Sequence, residues 1–225
     1  MKPQGRGAIC GNKGIRCGGE VNGPARGVPR PRDQTGRELA VDFSAGQNQS
    51  GEKFRSRSVM SDIRLCREDE KPALLAIINA AAEAYRNVIP ADCWHSPYMP
   101  PDELDSEIAA GVMFWGHERD GVLVGVMGLQ SVRDVDLIRH AYVLPGRQRH
   151  GIGAALLWAL RRQSTQPMLV GTWAAADWAI RFYCHHGFEL VSPARKTALL
   201  NTYWSIPERQ IETSVVLANP PIGEP

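Results

Sequence analysis

No run of about 18 apolar residues, the length needed to span a bilayer, occurs in this 225-residue chain. The first residues lack the apolar stretch of about 7–15 that marks a secretory signal. Cysteine is sparse: Cys10, Cys17, Cys66, Cys93 and Cys184 are odd in number, widely spaced and form no C-x-x-C pair. That pattern gives neither a disulfide framework nor a zinc site; reduced thiols, a cytoplasmic location and no metal are expected. No segment repeats.

Charge is nearly balanced overall, at +2, but unevenly placed. Residues 1–60 carry 11 Lys/Arg against 5 Asp/Glu and hold 11 of the 22 glycines. Such a stretch buries too little apolar surface to offset its ordering entropy, so a disordered basic extension is expected. Phe43 and Phe54 are its only aromatics, too few for a base-stacking series, and no lipidation signal is present. Neither a nucleic-acid partner nor a membrane partner is therefore expected. Met60 stands immediately before the first ordered pattern, which makes it the expected start codon.

Periodicity organises the remainder. Ile63–Cys66 alternates as a strand, and Glu68-Asp69-Glu70 opens a helix carrying Leu74, Leu75, Ile77, Ile78, Ala81 and Tyr85. The irregular segment PADCWHSPYMPP follows, then a helix over Asp102–Ala110. Strands are expected at 112–118, 122–129 and 135–143, the first two joined through Asp120-Gly121, a good hairpin signal. A helix at 152–162, a strand at 168–173, a helix at 177–185 and strands at 188–191 and 211–217 complete the chain. The order β-α-α-β-β-β-α-β-α-β-β predicts a mixed sheet covered by helices.

The chemistry centres on RQRHGIG, Arg147–Gly153, between a strand and a helix. It is not a P-loop, because no Lys follows the glycines, nor a dinucleotide fingerprint, because Leu156 occupies the third glycine position. What remains, Gln148-x-x-Gly151-x-Gly153, suits either a nest of backbone N–H groups at a helix N-terminus or an ordinary turn.

The run LIRHAYVLPGRQRHGIGAALL resembles the acetyl-CoA-binding motif of the GCN5-related N-acetyltransferases (GNAT), Q/R-x-x-G-x-G/A after a strand ending in V-x-P. Further on, WAIRFYCHHGFELV resembles the family's A-I-x-F-Y-x-x-x-G-F segment through Ala179, Ile180, Phe182, Tyr183, Gly187 and Phe188. The resemblance covers residues 61–218 and leaves 219–225 as a short tail. It implies an α/β (α+β) GNAT fold: a mixed central sheet with a splayed strand pair, flanked by helices. One position departs from the pattern, since Ala176 stands where the family commonly has a cofactor-contacting Asn.

The resemblance further implies acetyl-CoA as co-substrate. Its pyrophosphate would be held at Gln148, Arg149, His150, Gly151, Ile152, Gly153 and Ala154, and its pantetheine arm along Tyr142 and Val143. Tyr183 would be the general acid. Where family members often carry a Glu base this register puts Leu137, which leaves Glu83, Asp136, His140 or a water as the base. Trp94, His95, Tyr98, Tyr203 and Trp204 would wall an acceptor pocket, or would pack the domain or a homodimer interface. The expected reaction is acetylation of a primary amine on a small molecule by direct attack in a ternary complex. A protein Lys or N-terminal acetyltransferase and a non-catalytic acyl-CoA sensor are the alternatives.

Overall fold

The structure, a computed structural model, describes residues 63–222. The expectations for residues 1–60, including the start at Met60, lie outside the described residues. Seven strands form one sheet: β1 (Ile63–Leu65), β2 (Met113–Arg119), β3 (Val122–Val132), β4 (Val135–Val143), β5 (Met168–Trp173), β6 (Glu189–Leu190) and β7 (Ser214–Asn219). Their order is β1-β2-β3-β4-β5-β7-β6, antiparallel throughout except for the β4–β5 pair.

Alternation along the strands sends two sets of side chains to opposite faces. On one face α1 (Lys71–Ala82) and α2 (Pro101–Ala109) bury Leu74, Ile77, Ile78 and Leu104 against Phe114, Leu123 and Val126. On the other, α3 (Ile152–Gln163) and α4 (Asp177–His185) bury Leu156, Leu157, Leu160 and Ile180 against Val124, Met127, Ile138 and Val170. Leu156 is fully buried, and its truncation to Ala would cost about 2–5 kcal/mol.

Two helices appear where periodicity assigned no element before the strand expected at Ile211: α5 (Pro193–Tyr203) and α6 (Glu208–Thr213). Pro193 and Pro207 look like helix breakers, yet both stand at helix starts, where a missing N–H costs nothing. Ser192 caps α5 by accepting from the Arg195 amide at 3.4 Å. The final strand consequently begins at Ser214, three residues after the expected Ile211.

Among the described residues Cys66 and Cys93 are free thiols. No helix among the described residues is long and apolar enough to cross a membrane.

Candidate active site

Strands β4 and β5 pair only from Asp136–Met168 to Ile138–Val170 and then diverge. Beyond Ile138 the edge of β4 that faces β5 is unpaired. A bulge adds to the opening: the β3–β4 register passes from Val126–Tyr142 to Gly128–Arg139, so His140 and Ala141 both oppose Met127. His140 takes φ +48°, a left-handed conformation that few non-glycine residues adopt. Gly128 permits this close approach, since a Cβ there would lie 3.0 Å from the Arg139 carbonyl oxygen and 2.8 Å from Val112. All five residues Arg139–Val143 consequently line a cleft of about 1270 Å³.

One end of the cleft is the RQRHGIG turn. Arg149 and Gly151 adopt φ +62° and +77°, and Gly151 is the N-cap of α3 without any side-chain cap. Among the described residues no backbone carbonyl accepts from the amides of Arg149 through Ala154; the first helical bond of α3 is Ala155 to Gly151. These amides therefore form an unsatisfied donor cluster at the positive end of a 12-residue helix. Gln148 closes the turn by donating from Nε2 to the Val143 carbonyl at 3.1 Å. Arg147, Gln148, Arg149, Gly151, Ile152, Gly153 and Ala154 line the cleft. His150 does not; its Nδ1 lies 2.7 Å from the Gln148 carbonyl.

The other end is aromatic. Tyr85 stacks on Tyr98 at 6.2 Å and meets Trp178 at 5.4 Å, and Trp94 meets Tyr98 at 5.4 Å. Trp173 Nε1 donates to the Tyr98 hydroxyl at 3.3 Å. Burial pushes the Tyr85 phenol up to about 12, with the Tyr98 phenol adding to it, and burial likewise raises Tyr98 and Tyr142. Every one of these hydroxyls therefore keeps its proton at neutral pH. Asn79 on α1 pins the irregular segment through two bonds to the Met99 backbone, at 2.8 and 2.9 Å. Arg209 on α6 bonds Asp92 at 2.9 Å and ties the segment's other side.

Tyr183 lies between the two ends, 5% exposed, with its ring against Phe182 and Phe188. Its hydroxyl has no hydrogen-bond partner among the described residues, and burial holds its pKa well above the usual phenol value. Trp94, His95, Tyr98 and Trp204 line the same cleft. Tyr203 does not: it ends α5, so it points away from Trp204 and donates to Asp134 Oδ1 at 2.8 Å. Tyr203 is the last residue of α5 and Trp204 its extended C-cap, so the two side chains leave the chain in different directions.

Glu83 is also absent from the cleft, being paired with Arg86 at 2.6 Å and half exposed. Asp136 is buried at the closed end of β4, accepting from Ser131 and Ser164 at 2.5 and 2.6 Å. Ala176, fully buried beside Ile89 and Trp173, offers the cleft no polar side chain. Residues that sequence reasoning missed are Tyr85, Trp173, Trp178 and Glu107, all lining the cleft. Tyr85 fits the apolar period of the first helix; only the 3-10 turn that ends that helix redirects it. Among the described residues no group of three or more His, Cys, Asp or Glu could hold a metal ion.

The family model for the acetyltransferase (GNAT) domain matches residues 75–201, more than half of the chain. The chain belongs to the GNAT acetyltransferase family. Among solved GNAT-fold structures, the PaiA N-acetyltransferase of Thermoplasma acidophilum, in complex with coenzyme A, superposes with a TM-score of 0.54 at 14% identity. A GNAT-family acetyltransferase from Staphylococcus aureus Mu50 gives 0.53 at 20%. Each alignment covers 69% of this chain and 96% of the other, and at these identities the likeness is one of GNAT fold. A search of curated proteins by sequence finds no match.

Proposed function

We propose that this GNAT protein transfers an acetyl group from acetyl-CoA to the primary amine of a small molecule. The observation that carries the reading is the cleft's division into an unsatisfied cluster of N–H donors at one end and an aromatic enclosure at the other. The donor cluster suits a pyrophosphate, and the unpaired edge of β4 suits an amide-bearing arm laid alongside it like an added strand. Arg147 and Arg149 supply nearby positive charge. A Cβ at Gly153 would meet the Phe182 ring at 3.5 Å and Val143 at 4.0 Å, at ordinary contact distance, and the bare backbone there leaves room for a ligand.

In the reaction the amine nitrogen bonds to the thioester carbonyl carbon while the C–S bond breaks toward sulfur. A main-chain N–H beyond the bulge, near Val143, donates to the carbonyl oxygen as negative charge develops on it. Tyr183, which lines the cleft between its two ends, gives its proton to the leaving thiolate. The aromatic end, lined by Trp94, Tyr98 and Trp204, supports an acceptor with an apolar body.

Thermal unfolding with and without acetyl-CoA is the direct test. A ligand bound only by the native state at about 100 times its Kd adds about 2.7 kcal/mol, a shift of several degrees. Thiol release with a panel of small amines and with peptides follows. No stabilisation at millimolar acetyl-CoA overturns the reading, and turnover of peptides alone replaces the acceptor class.

A further inference from the structure

We infer that Glu107 is a positioning residue that fixes His140 as the base accepting the acceptor's proton; this rests on the acetyltransferase reading above. The two side chains reach the cleft from different elements, Glu107 from α2 and His140 from the bulge in β4. His140 Nε2 lies 3.1 Å from Glu107 Oε2, both atoms buried, at ion-pair distance though off the axis of an ideal hydrogen bond. Catalytic hydrogen bonds often tighten only when substrate is bound.

Glu107 is held in place. Arg139 grips both its oxygens, at 2.7 and 2.6 Å, and also donates to Gln130 Oε1 at 2.7 Å. Gln130 in turn donates to the Ala110 carbonyl at 2.9 Å, just past the end of α2. Burial works against ionisation of Glu107, but the contact with His140 and the charge of Arg139 outweigh it, holding the carboxyl below its usual range. The ring of His140 is seated on Phe114, with centroids 5.8 Å apart.

A carboxylate beside Nε2 favours the tautomer with its proton there, leaving Nδ1 as the acceptor. Nδ1 has no hydrogen-bond partner among the described residues and is not sealed from solvent. Nδ1 takes a proton from the substrate ammonium, the freed amine attacks, and Glu107 stabilises the imidazolium. The competing carboxylates are placed otherwise: Glu83 faces Arg86 outside the cleft, Asp136 is buried between two serines, Asp92 is tied to Arg209, and Glu103 is exposed.

Two measurements test the pairing on the full chain. Glu107→Gln keeps the size and the contact with Arg139 but removes the charge. It is expected to lower kcat about tenfold with the KM for acetyl-CoA unchanged, and His140→Gln about a hundredfold, within the range for a general base. The double variant should be no slower than His140→Gln alone, because Glu107 acts through the histidine. Additive losses, or full activity in His140→Gln, overturn the inference. Side-chain 15N NMR decides the positioning without turnover: the histidine signal lost in His140→Gln should show a protonated Nε2 and a bare Nδ1. Glu107→Gln should change that tautomer, and an unchanged signal overturns the inference. Failure to bind acetyl-CoA at all would instead remove the acetyltransferase reading.

Discussion

Ile138 and Val170 form the last backbone pair between β4 and β5. The opening between the two strands follows from where that pairing stops. Past it β4 turns its free edge to the gap, the bulge at His140 widens the gap, and the N-terminus of α3 opens onto it.

The turn is expected to depend on its glycines more than on its arginines. Gly151 sits at φ +77°, and an added Cβ would meet no protein atom within 4 Å. Gly151→Val therefore costs the fold only left-handed backbone strain, about 1–3 kcal/mol. It should abolish the thermal shift with acetyl-CoA, whereas Arg147→Ala should weaken the shift without removing it. Calorimetric titration of both variants checks the order.

Tyr183→Phe removes a hydroxyl that has no protein partner among the described residues. Stability should change by less than about 1 kcal/mol, since no hydrogen bond is lost. We expect kcat to fall at least about tenfold, with little change in acetyl-CoA affinity, if the phenol supplies the thiolate's proton. An unchanged kcat removes Tyr183 from the mechanism.

The neighbouring aromatics at the end of α5, Tyr203 and its C-cap Trp204, should separate cleanly. Trp204 lines the cleft and packs 3.6 Å from the position of a Cβ on Gly171, whereas Tyr203 faces Asp134. Trp204→Ala is expected to raise the acceptor KM about tenfold or more. Tyr203→Phe should leave KM unchanged and cost at most about 1 kcal/mol, the worth of one exposed hydrogen bond. Steady-state kinetics beside denaturant unfolding distinguishes the two.

Acid stability should report on Glu70. Arg64 bridges Glu70 and Glu118 at 2.7 and 2.6 Å, and hydrogen bonding to Arg64 lowers the Glu70 carboxyl to about 2. A depressed folded-state pKa contributes stability above the unfolded value near 4.5, lost as pH falls toward 2. After allowance for solvent around Arg64, about 1–2 kcal/mol is at stake. Glu70→Gln should lower unfolding free energy by that amount at pH 7 and by little at pH 2.

The sequence by itself determined the elements whose periodicity is strong and local. β4 and α4 run at the residues their patterns predict, 135–143 and 177–185, and the two motifs identified the family. It left α5 and α6 hidden, because prolines at helix starts look like breaks and neither helix has a sharp apolar face. Tertiary structure alone decided which polar side chains share the cleft. Glu107 carries no sequence signal: it lies 33 residues from His140, and a bulge and a helix end bring the two together. Glu83, a base candidate by sequence beside Asp136 and His140, is captured outside the cleft by Arg86, three residues on. Local pattern fixes which face of an element is buried, but meetings between elements depend on strand register, and register is settled only when the whole sheet packs.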